Sequence, residues 1–384
     1  MSDQFIEQSP FFTSEQRALA ANVGRFIQTE AEQRERDAEG LDAQFRALLT
    51  MLAEAGLLRY AVAAPGGKLD VRSLCLLREA MAYASPLADL AFVMQGLGTY
   101  ALSLAAPEHV RDFWLGRAIS GNSIAAFALT EAEAGSDVAS IQTTAMREGD
   151  AYLINGRKRF ISNAGLADFY TVFARTGTRP DGRAEISAFA VSAKMPGFRV
   201  VERTQLLGDH PIGEIEFVNC RVPVEDILGA PGDGFGLAMK TMDTFRASVG
   251  AAACGMAGRA LDEAIDHAKT RRQFGQSLSE FQLIQGKLAE MATDLDAARL
   301  LVYHAAYCKD GGAARIPREA SEAKLFATEA AGRIIDGALQ IHGGAGLVAG
   351  HIVERLYRDV RALRIYEGTS EIQKLIIAGQ LLAD

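Results

Sequence analysis

The apolar residues of this 384-residue chain change their spacing twice, and that change constrains the fold more than any other feature. Over residues 1–122 they recur every three or four positions, the period of an amphipathic helix. "FFTSEQRALAANVGRF" opens with Thr13 and Gln16 placed as a capping box and carries apolar positions up to Phe26, and "FRALLTMLAEAGLL" continues the pattern. Over 123–232 the period shortens. "FYTVFART", "EISAFAVSA", "GFRVVE" and "GEIEFVNCRVP" are short β-prone runs broken by turn residues such as Pro180-Asp181-Gly182. No helix-length segment separates them, so they predict an antiparallel β-domain rather than a parallel βαβ sheet. "AYLINGRKRFIS" holds two β-prone runs around Asn155-Gly156, which predicts a two-residue hairpin turn there, because both residues tolerate positive φ.

After the glycine-rich connector "GAPGDGFG", helical spacing returns and persists over 233–384. Phe281, Ile284, Leu288, Met291, Leu295 and Ala298 form one stripe, as the seam of a helix bundle requires. The expected fold is therefore mostly α with a β middle domain: helical over 1–122, β over 123–232, helical again over 233–384.

Composition narrows the function. A chain that is 49 % hydrophobic supplies core for two or three domains, and a net charge of −8 disfavours nucleic acid or an anionic membrane as a partner. Cys75, Cys220, Cys254 and Cys308 are scattered, as reduced thiols of a cytoplasmic protein would be. The start "MSDQFIEQSPFF" does not read as a secretory signal, no stretch reads as a membrane span, and the six histidines show no metal-ligand spacing.

Three segments are candidates to carry chemistry, and a fourth only looks like one. "GGAGLVAG", residues 343–350, resembles a dinucleotide fingerprint, but Gly350 falls one place late and helix-like sequence precedes it, so it reads as a helix stop and tight turn. "FALTEAEAGSD", residues 127–137, offers the Thr130 and Ser136 hydroxyls on a loop of small residues that a flat polar ligand can approach. "RRQFG", residues 271–275, brings guanidinium, amide and aromatic ring together for a phosphate and a ring system. "RIYEGTSEIQ", residues 364–373, places Glu367 between a tyrosine and Gly368-Thr369, with helix-like apolar sequence on both sides.

In order and separation, "LTEAEAGSD", "KRFISN", "RRQFG" with "EFQLIQGKLAEM", "QIHGGAG", "ERLYRDVR" and "IYEGTSEIQ" resemble the acyl-CoA dehydrogenase family of flavoproteins over nearly the whole chain. The resemblance implies an N-terminal helical domain, an antiparallel β-domain, a C-terminal four-helix-bundle domain, and assembly as a homotetramer, a dimer of dimers. It implies FAD between the β-domain and the C-terminal helices, partly contacted by a neighbouring subunit. Phe127, Leu129, Thr130 and Ser136 match its flavin loop, where the serine also lies close to the substrate. Phe160, Ile161 and Ser162 match the strand beside the flavin ring. Phe160 and Ser162 stand where tryptophan and threonine are frequent, so the hydroxyl is kept and the indole donor is not. Arg271, Phe274 and Gln282, with Gln340, Gly343 and Gly344, match positions that reach the cofactor across the subunit interface. Thr369 and Glu371 match the contacts after the base, although glutamine is common at the second. Asp243 and Arg246 match contacts to the CoA portion, and Gly368 leaves room for the acyl chain. The flavin loop departs at Ala132 and Glu133, where proline and glycine are frequent.

The same resemblance casts Glu367 as the base that removes the weakly acidic α-proton of an acyl-CoA thioester, while FAD accepts the β-hydrogen as hydride and a trans-2-enoyl thioester results. Such chemistry needs a carboxylate stripped of water, whose pKa rises towards neutrality. Some family members carry the base on an earlier helix, where this chain has Phe245. The expected acceptor is an electron-transfer flavoprotein. The alternatives are an oxidase that reduces oxygen, and a catalytically silent flavin- or thioester-binding scaffold. The compact length favours a bacterial degradative role with a short, branched or cyclic acyl group.

Overall fold

The structure, a computed structural model, describes residues 4–313 and 315–383. The chain begins with helices α1 (Gln4–Gln8), α2 (Ser14–Asp37), α3 (Leu41–Glu54), α4 (Val71–Ala84), α5 (Pro86–Ala105) and α6 (Glu108–Ile119). Strands β1 (Ala125–Ala128), β2 (Thr144–Glu148), β3 (Ala151–Ser162), β4 (Phe169–Thr178), β5 (Ala184–Ser192), β6 (Phe198–Arg203), β7 (Ile212–Pro223) and β8 (Ile227–Leu228) follow. Helix α7 (Gly234–Thr270), the short pair β9 (Arg272–Gln273) and β10 (Gln276–Ser277), and helices α8 (Gln282–Asp310), α9 (Pro317–His342), α10 (Ile352–Val360) and α11 (Ser370–Leu382) complete it. The residues divide into two compact units, one of 4–33, 70–89 and 245–383, the other of 34–69 and 90–244.

In the first unit, the expected capping box forms at the start of α2. The Gln16 N–H reaches Thr13 Oγ1 at 3.2 Å and the Thr13 N–H reaches Gln16 Oε1 at 3.1 Å. Gln16 then donates to both carboxylate oxygens of Asp70, the N-cap of α4, at 3.0 Å each. Asp310, at the end of α8, accepts the Val71 and Arg72 N–H groups at 2.8 and 3.1 Å. The orphan donors of that helix start are thereby satisfied. Small residues let the helices approach closely: Gly250 of α7 faces Val302 and Ala327, and the buried Met291, Leu295 and Ala298 of the α8 stripe join Ala320, Ala323, Ala327 and Ala331 of α9 in one core. Helices α10 and α11 pack on α9.

In the second unit, eight strands form a sheet in the order β6-β7-β3-β2-β4-β5-β8, with β1 paired to β4. It is antiparallel except for the parallel pairings of β1 and β2 with β4, strands that arrive by longer connections. The sequence reads Asn155-Gly156 as a hairpin turn, and the structure corrects this: both lie inside the single strand β3. Gly156, at φ 143°, marks a register shift against β7, and the Asn155 Oδ1 accepts the Asn219 N–H at 2.8 Å. Positive φ is used here for a bulge, and the chain reverses instead at Gly149 and Asp150, between β2 and β3.

A second correction concerns α5, which is long and apolar enough to cross a membrane by length and composition, contrary to the sequence reading; 89 % of its most apolar window is buried. It is a core helix. Within the second unit, Gln95 donates to Ala118 O and Ser123 O and accepts from the Ala125 N–H, and Gly98 sits against Ala125 so closely that a Cβ would lie 2.6 Å from it.

A Cβ on Gly156 would meet Thr143 Oγ1 at 2.6 Å and its Cα at 2.7 Å. Gly156→Ala should therefore cost roughly 3 kcal/mol in chemical denaturation. Gly24→Ala, in open space on α2, should instead stabilise by about 0.5–1 kcal/mol.

Candidate active site

The segment "RIYEGTSEIQ" folds as a short break between a 3₁₀ turn, Arg361–Arg364, and α11. Thr369 ends the break by capping α11, its Oγ1 accepting the Ile372 N–H at 3.3 Å. Glu367 and Gly368 both adopt left-handed backbone, with φ of 52° and 91°. For a non-glycine residue that conformation costs on the order of 1–3 kcal/mol, and surrounding contacts must enforce it. Glu367 Oε2 is buried and has no hydrogen-bond partner. Removal from water raises the Glu367 pKa; the charges of Arg78, Lys324 and Arg246, in that order, pull it down, Asp89 adds to the rise, and the balance is upward.

Arg78, on α4, is 1 % exposed. Its Nε and Nη2 donate to the two oxygens of Asp89 at 2.8 and 2.7 Å, and its Nη1 to Ser248 Oγ at 2.9 Å. Burial also raises the Tyr366 pKa, and Arg78 hydrogen-bonds that phenol. Arg246 of α7 is 4 % exposed and acts on both Glu367 and Lys324, while Asp243 is half-buried. Thr369 also bonds the exposed Glu371 carboxylate, which its own backbone N–H and that hydroxyl hold below the usual range. The structure thus gathers Glu367, Gly368, Thr369, Glu371 and Arg246 at one end of α11.

In the β unit, Leu129 is buried, Phe127 and Thr130 are half-buried and Ser136 is exposed. The loop is tied down from beneath. Glu131 accepts the Gln142 and Thr143 N–H groups at 2.6 and 2.9 Å and the Lys158 ammonium at 2.8 Å, and Lys158 also reaches Leu129 O at 2.9 Å. Burial raises the Glu131 pKa, but Lys158 and the N–H donors prevail and hold it below the usual value. With Ala132 and Glu133 in place of proline and glycine, the turn closes by paired Glu131 and Ala134 backbone bonds of 3.2 and 3.3 Å. Phe160 lies in left-handed backbone at φ 54°, at a register shift of β3, with its ring 48 % exposed and the Arg159 guanidinium 5.1 Å above it. Ser162 Oγ is 2.8 Å from His210 Nε2, and burial pushes His210 down to about 4, so it is neutral at pH 7.

The remaining positions lie in the first unit. Arg271 and Gln282 are exposed, and Phe274, at φ 51°, turns the β9–β10 hairpin with its ring 93 % exposed. Helix α9 stops at Gly343, φ 60°, with Gln340, Gly343 and Gly344 exposed. The His267 ring packs at a tilt against His342, 4.3 Å between centroids, which brings the Arg271 end of α7 beside that stop.

These groups fit FAD. Within the β unit, the exposed Phe160 ring on strained backbone and the hydroxyls of Thr130 and Ser162 are groups that suit a flavin ring; within the first unit, the exposed Arg271 and the Gly343-Gly344 turn are groups that suit a diphosphate. Arg78, Asp89, Lys324, Gln373 and His210 were not singled out in the sequence. Arg78 and Lys324 leave a trace there, each being a cation on an otherwise apolar helix face.

A buried carboxylate oxygen without a hydrogen-bond partner in one unit, and hydroxyls with an exposed aromatic ring in the other, are groups that a flavoprotein oxidoreductase uses. Three family models, the N-terminal, middle and C-terminal domains of acyl-CoA dehydrogenase, match residues 13–122, 126–220 and 232–382. The chain belongs to the acyl-CoA dehydrogenase family, whose members are FAD enzymes. It is 43 % identical to the 3-(aryl)acrylate reductase of Clostridium sporogenes over 321 residues, 83 % of this chain and 84 % of that protein. It is 42 % identical to an acyl-CoA dehydrogenase of Bacillus subtilis, also over 321 residues and the same shares. Glutaryl-coenzyme A dehydrogenase, solved with glutaryl-CoA, matches with a TM-score of 0.88 at 32 % identity, covering 97 % of this chain and 96 % of the other.

Breaking the buried Arg78–Asp89 pair from one side strands a charge. Asp89→Ala should lower stability by about 3–5 kcal/mol, read in urea denaturation, because the guanidinium then stays buried without its carboxylate.

Proposed function

We propose that the chain dehydrogenates an acyl-CoA thioester to the trans-2-enoyl-CoA, with Glu367 as the general base. The observation that carries this reading is the buried, partnerless Oε2 of Glu367. A carboxylate there has one lone-pair direction unspent, and a dry setting makes it a stronger base than one in water. FAD, when bound, supplies the acceptor for the β-hydrogen, taken as hydride. Glu367 takes the α-proton onto its carboxylate, and the two electrons of the broken α-C–H bond form the new double bond. Gly368, with no side chain, leaves space beside the base. The left-handed turn sets the direction of the carboxyl before substrate arrives, so little reorganisation is needed at the moment of reaction.

The acyl group is read as uncharged. Arg78, the cation acting most strongly on Glu367, is already engaged by Asp89 and Ser248, so an ω-carboxylate docked beside the base would have to displace a buried partner. An uncharged short, branched or cyclic acyl-CoA should therefore reduce the flavin faster than a dicarboxylic acyl-CoA of equal length. Electrons then pass to an electron-transfer flavoprotein, and the working assembly is a homotetramer. The Clostridium sporogenes relative is named for a reductase, which supports a second reading with the direction reversed, in which Glu367 returns the α-proton to an acrylyl group.

Anaerobic mixing with a panel of acyl-CoA thioesters tests the base. Glu367→Gln should keep its FAD and bleach roughly 10²–10⁴-fold more slowly than the parent; bleaching at the parent rate would remove Glu367 from the role. Because the folded pKa of Glu367 lies above 4.5, and the base acts only when ionised, the flavin-reduction rate should rise with pH through a value above 4.5. Rapid oxygen uptake without an added acceptor would favour an oxidase.

A further inference from the structure

The strained turn that carries Glu367 is held by two side chains that the reaction itself does not call for. Lys324, in the first half of α9, is fully buried among Ala320, Ala323 and Ala327, and its Nζ donates to Gly368 O at 2.7 Å. Gln373 of α11, also fully buried, gives its Nε2 to the same oxygen at 2.9 Å and to Glu367 O at 3.2 Å. Gln373 presses against Gly368 so closely that a Cβ there would lie 2.6 Å from its Nε2. Next to this clamp, Ser370 Oγ donates to Glu329 at 2.6 Å and Arg364 pairs with Glu329 at 3.3 Å, which stitches the start of α11 to α9.

Burying an ammonium costs several kcal/mol unless it is paired. A lysine used only to fill an alanine-lined helix face would be better replaced by methionine or leucine. Lys324 keeps its charge next to Glu367, Arg246, Glu329 and Glu371; burial, with Arg246 adding to it, pulls it down to about 8, so it remains mostly ammonium at pH 7. The carboxyl it faces is surrounded by Arg78, Arg246, Asp89 and Tyr366.

We propose that Lys324 is a positioning residue for the base: with Gln373 it grips the Gly368 carbonyl and locks the left-handed Glu367–Gly368 turn, so that the carboxyl is aimed. The inference rests on Glu367 being the base. Lys324 touches no reacting atom. It acts through the backbone of the next residue and through its charge.

Three variants separate these effects. Lys324→Met removes donor and charge, Lys324→Gln keeps a donor and removes the charge, and Glu367→Gln is the control for the base itself. Flavin reduction by a productive acyl-CoA is followed across pH, together with FAD content and thioester affinity. In Lys324→Met the rate should fall about a hundredfold at neutral pH with FAD content and affinity kept, and the acid limb should move to higher pH, because a cation that favoured the carboxylate is gone. Lys324→Gln should recover much of the rate at high pH and show the same displaced limb. An acid limb that stays at its parent position in both variants overturns the proposal, as does a loss confined to FAD content or affinity. Should Lys324→Met fail to fold, the limb of Lys324→Gln decides alone. If Glu367→Gln is inactive while both lysine variants match the parent, this inference fails and the base assignment stands; if Glu367→Gln is active, the base assignment itself fails.

Discussion

A carboxyl group taken out of water with one oxygen left bare is the constraint around which this structure is organised. Leaving a buried acceptor without a donor costs on the order of 1–3 kcal/mol, and more if the group is charged. At Glu367 that cost coincides with left-handed backbone at two successive residues. Neither feature serves stability. Both make sense if the carboxyl must present a free lone pair to a bound hydrogen while its backbone stays fixed. The surrounding helices provide what this requires: α9 supplies a lysine and a glutamate, α11 a glutamine and a capping threonine, α4 an arginine with its own buried counter-ion.

The electrostatics of the site follow from which term wins. Desolvation alone pushes Glu367 towards the neutral acid. Arg78, Lys324 and Arg246 oppose that shift without abolishing it. Asp89 in turn moderates Arg78, keeping a full unpaired charge away from the base and away from any uncharged acyl group. The base is thus tuned between two failures, too acidic to take a proton and too neutral to want one. In the β unit the same logic appears as a buried Lys158–Glu131 pair that fixes the Thr130 loop from below, leaving its outer edge to small and hydroxyl side chains.

Much of this was legible in the amino-acid sequence, and the reasons are specific. Thr13 and Gln16 announced the start of α2 because capping is a local geometry, and the α8 stripe announced a core because its period is set by the helix itself. Asn155-Gly156 misled because positive φ serves a bulge as well as a turn, and only the neighbouring Thr143 and Asn219 decide which. The apolar run of α5 shows the converse: a helix apolar enough for lipid here sits in a protein core, its few polar atoms met by partners distant in sequence such as Ser123 and Ala125. Glu367 could be found from its motif. Lys324 and Gln373 could not be given a role, since the carbonyl they share lies 44 and 5 residues away and the contact exists only once α9 and α11 pack. His210, brought to Ser162 from 48 residues on, was hidden for the same reason.

The central claim is that Glu367 carries a dry carboxyl poised to exchange a proton. The most direct measurement is an infrared titration of the holoenzyme against its Glu367→Gln counterpart, in which the protonated-carboxyl stretch present in one and absent from the other reports that single group. The account requires the difference band to persist above pH 4.5, the ordinary glutamate value, and to sit at the frequency of a carboxyl that donates weakly or not at all. A difference band that vanishes at or below that pH, or one with the frequency of a water-bonded carboxyl, would contradict it.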